Sequence, residues 1–153
     1  MEDTTLATPT TKKSTHIIFK STLENRNAFL DDRPRIAVLA GGGLALTASQ
    51  RNRQAPHDQM FYIGLDPGIR SGTHTIPGPM IKNLVYQERN EDIVEGDQWT
   101  LFSATSGTMT LELDQANRRF KATCTFTLKN KQNVTLNGSA EMNVAYSSWP
   151  TAI

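Results

Sequence analysis

The chain has 153 residues, which fits one domain with a core large enough to fold without a metal or a disulfide. Hydrophobic residues make up 37% of the chain and charged residues 20%, the ordinary balance of a globular protein. The formal net charge of +1 argues against a nucleic-acid-binding protein, because such proteins need a basic surface that displaces counterions from phosphates.

Residues 1–14 are rich in Thr and Lys and poor in apolar side chains, which predicts a flexible N-terminal arm. Residues 15–153 predict a single antiparallel β domain. The start of the sequence lacks the apolar segment of a signal peptide, and no apolar run reaches the roughly 18 residues of a membrane span. The lone cysteine cannot form an intrachain disulfide. Together these features predict a cytoplasmic protein that does not associate with a membrane.

Short runs of β-branched and aromatic residues follow one another along the chain, at the spacing of an all-β sandwich or barrel. In the first part of the domain these runs are 16–22, 35–40, 44–49, 60–65, 73–76 and 80–87. The glycines at 41–43 predict a flexible turn, and Pro67-Gly68 suits the central positions of a type II turn. The best candidate for a helix is 22–30, and the acidic segment 88–98 predicts a loop.

The last third of the chain has the clearest pattern. Apolar and polar residues alternate over 108–113, 120–128 and 134–144. A period of two places one face in the core and the other in water, so three such runs predict an antiparallel meander. The predicted fold class is therefore all-β, a single-domain antiparallel β-sandwich or β-barrel of about eight or nine strands. The alternation is the same in both architectures and leaves the choice open.

Register follows from the parity of the alternation, because directly opposed side chains share a face. The loop around Gln115 must then contain an even number of residues, and the next loop an odd number. A five-residue loop at 129–133 would place Leu128 opposite Val134, Phe126 opposite Leu136 and Cys124 opposite Gly138. The same register predicts a cross-strand ion pair between Lys121 and Glu141.

No residue pattern indicates catalysis, a metal site or a cofactor. Cys124 falls on the apolar face, where a thiol is buried and unreactive. The three histidines have none of the short spacings that metal sites favour. His57 and His74 flank one predicted hairpin, so a metal site there would need both to converge with Asp58.

A hydrolase with a site on loops is the enzymatic alternative. It would use His74 or His57 with Asp58 and the carboxylates of 88–98, which would have to meet within hydrogen-bond reach. A structure that places these groups at opposite ends would contradict it.

Amphipathic aromatic side chains are the residues that would line a pocket mouth or an interface. The candidate ligand-binding residues are Tyr62, His74, Tyr86 and Trp99, with core or rim packing as the alternative interpretation. Trp149, near the end of the chain, would either close the core or form an exposed anchor.

The segment from Ser106 to Asp114, followed by 120–128 and 134–145, resembles the closing strands of small lipocalin-like (calycin-like) bacterial domains of unassigned function. The shared pattern is a strand that starts with Gly, a loop with Asp, a longer strand and a strand containing Gly. Residues 63–68 leading into 72–74 resemble the hairpin before them. The resemblance implies an antiparallel barrel or sandwich and supplies no catalytic residue.

The predicted function is that of a non-catalytic binding protein that holds a small amphipathic ligand or a protein partner. If Phe102, Met109, Phe120, Phe126 and Met142 fill the interior, the carrier version fails and the partner version is favoured. An inhibitor or immunity-type protein would be one example. A structural or assembly protein is a further alternative, and it predicts an exposed apolar patch or an unpaired edge strand.

Overall fold

The computed structural model describes residues 16–149, which form one antiparallel sheet of ten strands and contain no helix. The predicted arm at 1–14 lies outside the described residues. The strands are β1 (Ile18–Leu23), β2 (Phe29–Asp31), β3 (Arg35–Val38), β4 (Leu44–Arg51), β5 (Asp58–Leu65), β6 (Gly72–Thr75), β7 (Ile81–Arg89), β8 (Trp99–Asp114), β9 (Arg119–Lys129) and β10 (Thr135–Ala145). Their order in the sheet is β2-β1-β10-β9-β8-β7-β5-β4-β3, with β6 paired to β8.

The sheet curls into a half-barrel and does not split into the two stacked sheets of a sandwich. The all-β prediction is confirmed, although the strand count is ten because β2 was not recognised. The best candidate for a helix, 22–30, does not form one. After β1 the chain turns with Asn25 at a φ of 58° and a hydrogen bond from Arg26 N to Leu23 O, and then forms β2.

The two ends of the sheet, β2 and β3, follow each other in the chain with only 32–34 between them. This short connection places β2 beside 48–51 of β4, the part of that strand that does not pair with β3. Leu30 N donates to Gln50 Oε1 at 2.7 Å, and Ser49 N donates to Asp31 Oδ2 at 2.8 Å. Side chains therefore join β2 to β4 where no backbone ladder does.

The predicted parity of both hairpin loops is confirmed. The loop between β8 and β9 has four residues, 115–118, and the loop between β9 and β10 has five, 130–134. Asn130 organises the second loop, since its Oδ1 accepts from the backbone N–H groups of Gln132 and Val134 at 2.9 Å. The glycine turn is confirmed too, with Gly41 and Gly42 at positive φ.

The specific β9–β10 pairs predicted from the sequence are wrong by two residues. Leu128 lies opposite Leu136, Phe126 opposite Gly138 and Cys124 opposite Ala140. Val134 is in the loop and 48% exposed. The predicted Lys121–Glu141 pair does not form.

Each partner of that predicted pair has a different counterion. Lys121 Nζ lies 3.7 Å from Asp114 Oδ2, and Glu141 Oε1 lies 3.8 Å from Lys20 Nζ. A slip of two residues preserves the parity on which the prediction depended, so the sequence pattern is the same in either register.

The concave side of the sheet encloses a single hydrophobic core. Six aromatic rings form its centre, with neighbouring centroids 5.0–6.2 Å apart: Phe19, Phe29, Phe61, Tyr86, Phe102 and Phe126. At one end Trp149 closes the core. Its ring stacks on Phe120 and contacts Tyr146, and its Nε1 donates to Pro67 O at 2.9 Å.

Candidate functional site

The four candidate ligand-binding residues do not form one site. Tyr62 and Trp99 lie on the outer face of the sheet, on β5 and at the start of β8. Tyr86 is fully buried in the core. His74 lies on β6 opposite Met109, about ten residues along β8 from Trp99, which corresponds to roughly 30 Å of strand.

Tyr62 and Trp99 belong to a group of apolar side chains on the outer face of β5, β7 and β8. We call this group the apolar strip: Met60, Tyr62, Val85, Trp99 and Leu101. The cross-strand register connects its members, since Gln87 pairs with both Met60 and Leu101, and Val85 pairs with Tyr62. Met60 is 39% exposed, Trp99 39% and Leu101 49%. Large apolar side chains grouped on an outer face are typical of an interaction surface.

A depression of about 420 Å³ lies beside the strip, lined in part by Trp99, Leu101, Asp97 and Lys131. Asp97 Oδ1 accepts from Trp99 N at 3.0 Å, which fixes the chain where it enters β8. Lys129, at the end of β9, is paired with Ser103 and faces the same side of the sheet. The depression therefore holds both the carboxylate of Asp97 and the ammonium group of Lys131, and a second ammonium group, that of Lys129, lies on the neighbouring strand.

Tyr86 belongs to a chain of hydrogen bonds across the end of the core opposite Trp149. Its OH donates to Glu88 Oε1 at 2.7 Å and accepts from Gln59 Nε2 at 2.8 Å. Glu88 also accepts both a 2.7 Å and a 2.8 Å hydrogen bond from Arg26, in the turn before β2. On the other side, Gln59 Oε1 accepts from Asn52 and Gln50 of the β4 region.

This network satisfies polar groups that would otherwise be costly to bury. Burial raises the pKa of Tyr86, and the hydrogen bond to Glu88 raises the pKa of Arg26. A neutral phenol and a permanently charged guanidinium that both hydrogen-bond to Glu88 fit a structural role. The interpretation of Tyr86 as a ligand-binding residue is therefore replaced by one in which it ties β5 and β7 to the β1–β2 turn.

The groups of the hydrolase alternative are only partly brought together. His57 Nδ1 accepts from Glu91 N at 3.0 Å, and Asp58 lies next to it in sequence. Both carboxylates are occupied by arginines: Asp58 by Arg51 at 2.9 Å and Arg89 at 3.1 Å, and Glu91 by the same two guanidiniums at 2.9 Å. Hydrogen bonds from Arg51 lower the pKa of Asp58 and of Glu91. Both carboxylates are therefore poor proton acceptors.

His74 takes no part in this network. Its Nε2 donates to Arg70 O at 2.6 Å, and β6 contacts the second half of β8, far from His57. His57 and His74 therefore do not converge. Within residues 16–149, no group of three or more His, Cys, Asp or Glu side chains is arranged to hold a metal ion.

A trough of about 730 Å³ also lies on the outer face, across β2, β1, β10, β9 and β8. Its floor is lined by hydroxyl groups in cross-strand register, because Thr108 pairs with Thr125 and Thr110 with Thr123, and Ser139 continues the first row. The ion pair between Lys20 and Glu141 carries no net charge. Threonine is also a favoured residue on the wet face of a sheet, so this surface has a structural explanation.

The interior is filled by side chains. Phe102, Met109, Phe120, Phe126 and Met142 are all at most 4% exposed, as the partner version of the function requires. Cys124 is free and buried, and burial raises its pKa to about 12. A thiol with so high a pKa stays protonated at neutral pH and is a poor nucleophile, which agrees with the prediction of an unreactive Cys124.

Sequence reasoning missed Met60, Val85, Leu101 and the two lysines beside the strip. A signal was present in the run Met60-Phe61-Tyr62-Ile63, which is apolar at four consecutive positions. In a strand, such a run places apolar side chains on both faces of the sheet. This is typical of a strand whose outer face, as well as its core face, packs against something.

No protein-family model, curated protein or solved structure matches this chain. The resemblance to lipocalin-like domains therefore stays a prediction. No helix within residues 16–149 is long and apolar enough to cross a membrane.

Proposed function

We propose that this protein is a non-catalytic binding protein that engages a protein partner through the apolar strip. The observation that carries the proposal is the exposure of Met60, Trp99 and Leu101 on one outer face while the interior is filled. Desolvation of large apolar and aromatic side chains supplies most of the free energy of protein association.

A protein partner is favoured over a small amphipathic ligand by the shape of the available surfaces. Carriers hold their ligand in a concave site that covers most of its surface. Here the concave side of the sheet is packed with aromatic rings, whereas the apolar strip lies on its outer face. A broad outer face fits another macromolecule, and the net charge of +1 favours protein over nucleic acid.

A structural or assembly role is the second candidate, and the same exposed strip favours it, since an assembly subunit needs an apolar patch. The inhibitor or immunity-type role is a variant of partner binding with the same surface. We propose a cytoplasmic setting for either role, supported by the free thiol of Cys124.

Site-specific photo-crosslinking in the cells that make the protein tests the proposal. Leu101 is replaced by p-benzoyl-phenylalanine in one variant, and Thr125 on the floor of the trough in the matched control. We expect a discrete protein adduct from position 101 and none from position 125. No adduct at 101, or an adduct at 125 alone, would overturn the assignment of the strip.

Native mass spectrometry of freshly purified protein tests the alternative of a carrier. We expect the mass of the bare chain or of a protein complex. An additional small mass that disappears on denaturation would show a bound ligand and would reverse the preference for a protein partner.

A further inference from the structure

His57 connects the sheet to the loop 90–98, which leads into Trp99 of the apolar strip. The residue is only 8% exposed, and its backbone is bonded on both sides. His57 N donates to Arg89 O, and Asn52 N donates to His57 O, each at 2.7 Å. His57 is therefore held between the ends of β4 and β7, next to the loop.

The imidazole ring accepts a hydrogen bond from that loop. Glu91 N donates to His57 Nδ1 at 3.0 Å. A backbone N–H can only donate, so Nδ1 carries no proton, and the proton of the neutral ring lies on Nε2. A second proton would place an N–H group on Nδ1 opposite the N–H of Glu91. The hydrogen bond would then be lost, and Glu91 N would have no acceptor at a partly buried place.

Charged groups near the ring are already paired with one another. On the strands and the turn around His57, the ion-paired side chains are Arg26, Arg51, Asp58, Glu88, Arg89 and Glu91. The remaining acids of the loop are exposed, namely Asp92, Glu95 and Asp97. A protonated His57 would therefore have to compete with arginines for a carboxylate, and the nearest one in the loop, that of Glu91, could respond only if the loop moved.

Movement at Glu91 reaches the apolar strip through Gln98. Gln98 Nε2 donates to Ile93 O at 3.0 Å, and Gln98 O accepts from Asn90 N at 2.9 Å. The two ends of the loop are thus bonded to each other, and Trp99 follows Gln98 directly. A shift of Glu91 therefore displaces the segment that sets the position of Trp99.

We infer that protonation of His57 loosens the loop 90–98 and weakens partner binding at the apolar strip. This inference rests on the proposed function and adds a regulation to the same surface. Histidine is the side chain that ordinarily changes its charge between about pH 5 and 8. The strip therefore binds its partner at neutral pH and loses affinity in mild acid.

Hydrogen exchange of the full chain, followed by NMR at about pH 7.5 and about pH 5.5, tests the first step. The Glu91 amide should exchange about five- to tenfold faster at the lower pH, after correction for the intrinsic pH dependence, because one hydrogen bond is lost. The pKa values of Asp58 and Glu91 are lowered, so both carboxylates stay ionised over this range. Equal corrected rates in the wild type would overturn the inference, and this measurement needs no substitution.

His57→Asn is the variant that isolates the proton. An asparagine Oδ1 can accept from Glu91 N in the position of Nδ1 but cannot be protonated in this range. The variant should therefore show no acceleration at the lower pH. His74→Asn is the matched control, because His74 lies on β6 and bonds to Arg70 O, and it should keep the wild-type acceleration. An acceleration that persists in His57→Asn would contradict the role of His57.

Photo-crosslinking from position 101, repeated in lysate at the same two pH values, tests the second step. The adduct yield should fall several-fold at the lower pH in the otherwise wild-type chain and should stay constant with His57→Asn. A yield that does not change with pH, beside accelerated exchange, would keep the proposed function and overturn the regulation. The lack of any adduct at either pH would overturn the proposed function itself.

Discussion

Gly138 lies directly opposite Phe126 in the β9–β10 ladder. A Cβ at position 138 would meet Leu23 Cδ2 and would lie 2.8 Å from Cε1 of the Phe126 ring, so these two side chains occupy the space that a larger residue would need. Gly107 lies opposite Phe126 on β8, where a Cβ would meet Thr125 O and would lie 2.9 Å from Phe126 Cα. Phe126 thus pairs with glycines on both neighbouring strands, and the space above Gly138 accommodates its ring in this register.

We predict that Gly138→Ala lowers the free energy of unfolding by about 1–3 kcal/mol, the usual effect of overpacking a core. The added methyl group would meet Phe126 and would lie 3.0 Å from Thr22 O, a backbone atom that cannot move easily. Urea unfolding measures the change. Gly43→Ala is the control, because its Cβ would meet its nearest neighbour at 3.8 Å, and an equal loss there would contradict the explanation.

Closure of the curled sheet depends on Gln50. We predict that Gln50→Ala costs about 0.5–1.5 kcal/mol, because Leu30 N loses an exposed hydrogen bond and Gln59 Oε1 a partly buried one. Gln54→Ala, in an exposed turn, should change stability by less than about 0.5 kcal/mol. Hydrogen exchange should also show faster exchange at Leu30 in the Gln50 variant. Unchanged exchange at Leu30 would mean that contacts other than those of Gln50 join β2 to β4.

The two tryptophans should separate stability from binding. Trp149→Ala removes the stacking on Phe120 and the hydrogen bond to Pro67, so we expect a loss of about 2–4 kcal/mol. Trp99→Ala, on the outer strip, should cost less than about 1 kcal/mol but should abolish the photo-crosslink from position 101. Thermal unfolding and the crosslinking yield measure the two effects. A reversal of this order would place the interface elsewhere.

Acid should weaken the network of Arg51, Asp58, Arg89 and Glu91. The folded-state pKa values of Asp58 and Glu91 are lowered, chiefly by hydrogen bonds from Arg51. Their contribution to stability is therefore present above the ordinary carboxyl pKa of about 4 and is lost as the pH falls through the lowered values. We predict that the difference in unfolding free energy between neutral and strongly acidic solution shrinks in Arg51→Met.

Arg53→Met is the control for this pH dependence, because Arg53 is exposed and outside the network. It should leave the difference between neutral and acidic solution as in the wild type. Equal changes in the two variants would attribute the acid effect to net charge in general.

The alternation in the sequence was sufficient to predict which face of each C-terminal strand is buried. It was also sufficient to predict whether each hairpin loop has an even or an odd number of residues. It was also sufficient for the burial of Cys124, which lies on the apolar side of an alternating run. These features depend on neighbours in the chain, so a period of two reveals them.

The choice among the aromatic residues depended on tertiary structure. Tyr62 and Tyr86 are both amphipathic residues in strand-like runs, yet Tyr62 faces outward and Tyr86 lies in the core. The apolar run around Tyr62 gives no alternation that would indicate which face is inside. The direction of each ring is decided by where β5 and β7 lie relative to the six-ring core.

The sequence by itself therefore determined an all-β meander, its loop parity and its buried thiol, because these follow from alternation along single strands. The tertiary structure decided the β9–β10 register, the closure by Gln50 and Asp31, and the position of the apolar strip. Each of these depends on contacts between residues far apart in the chain. A shift of two residues keeps the same alternation, so the pattern cannot reveal it. Contacts between β2 and β4, and a surface formed by three strands, likewise do not change the alternation along any one strand.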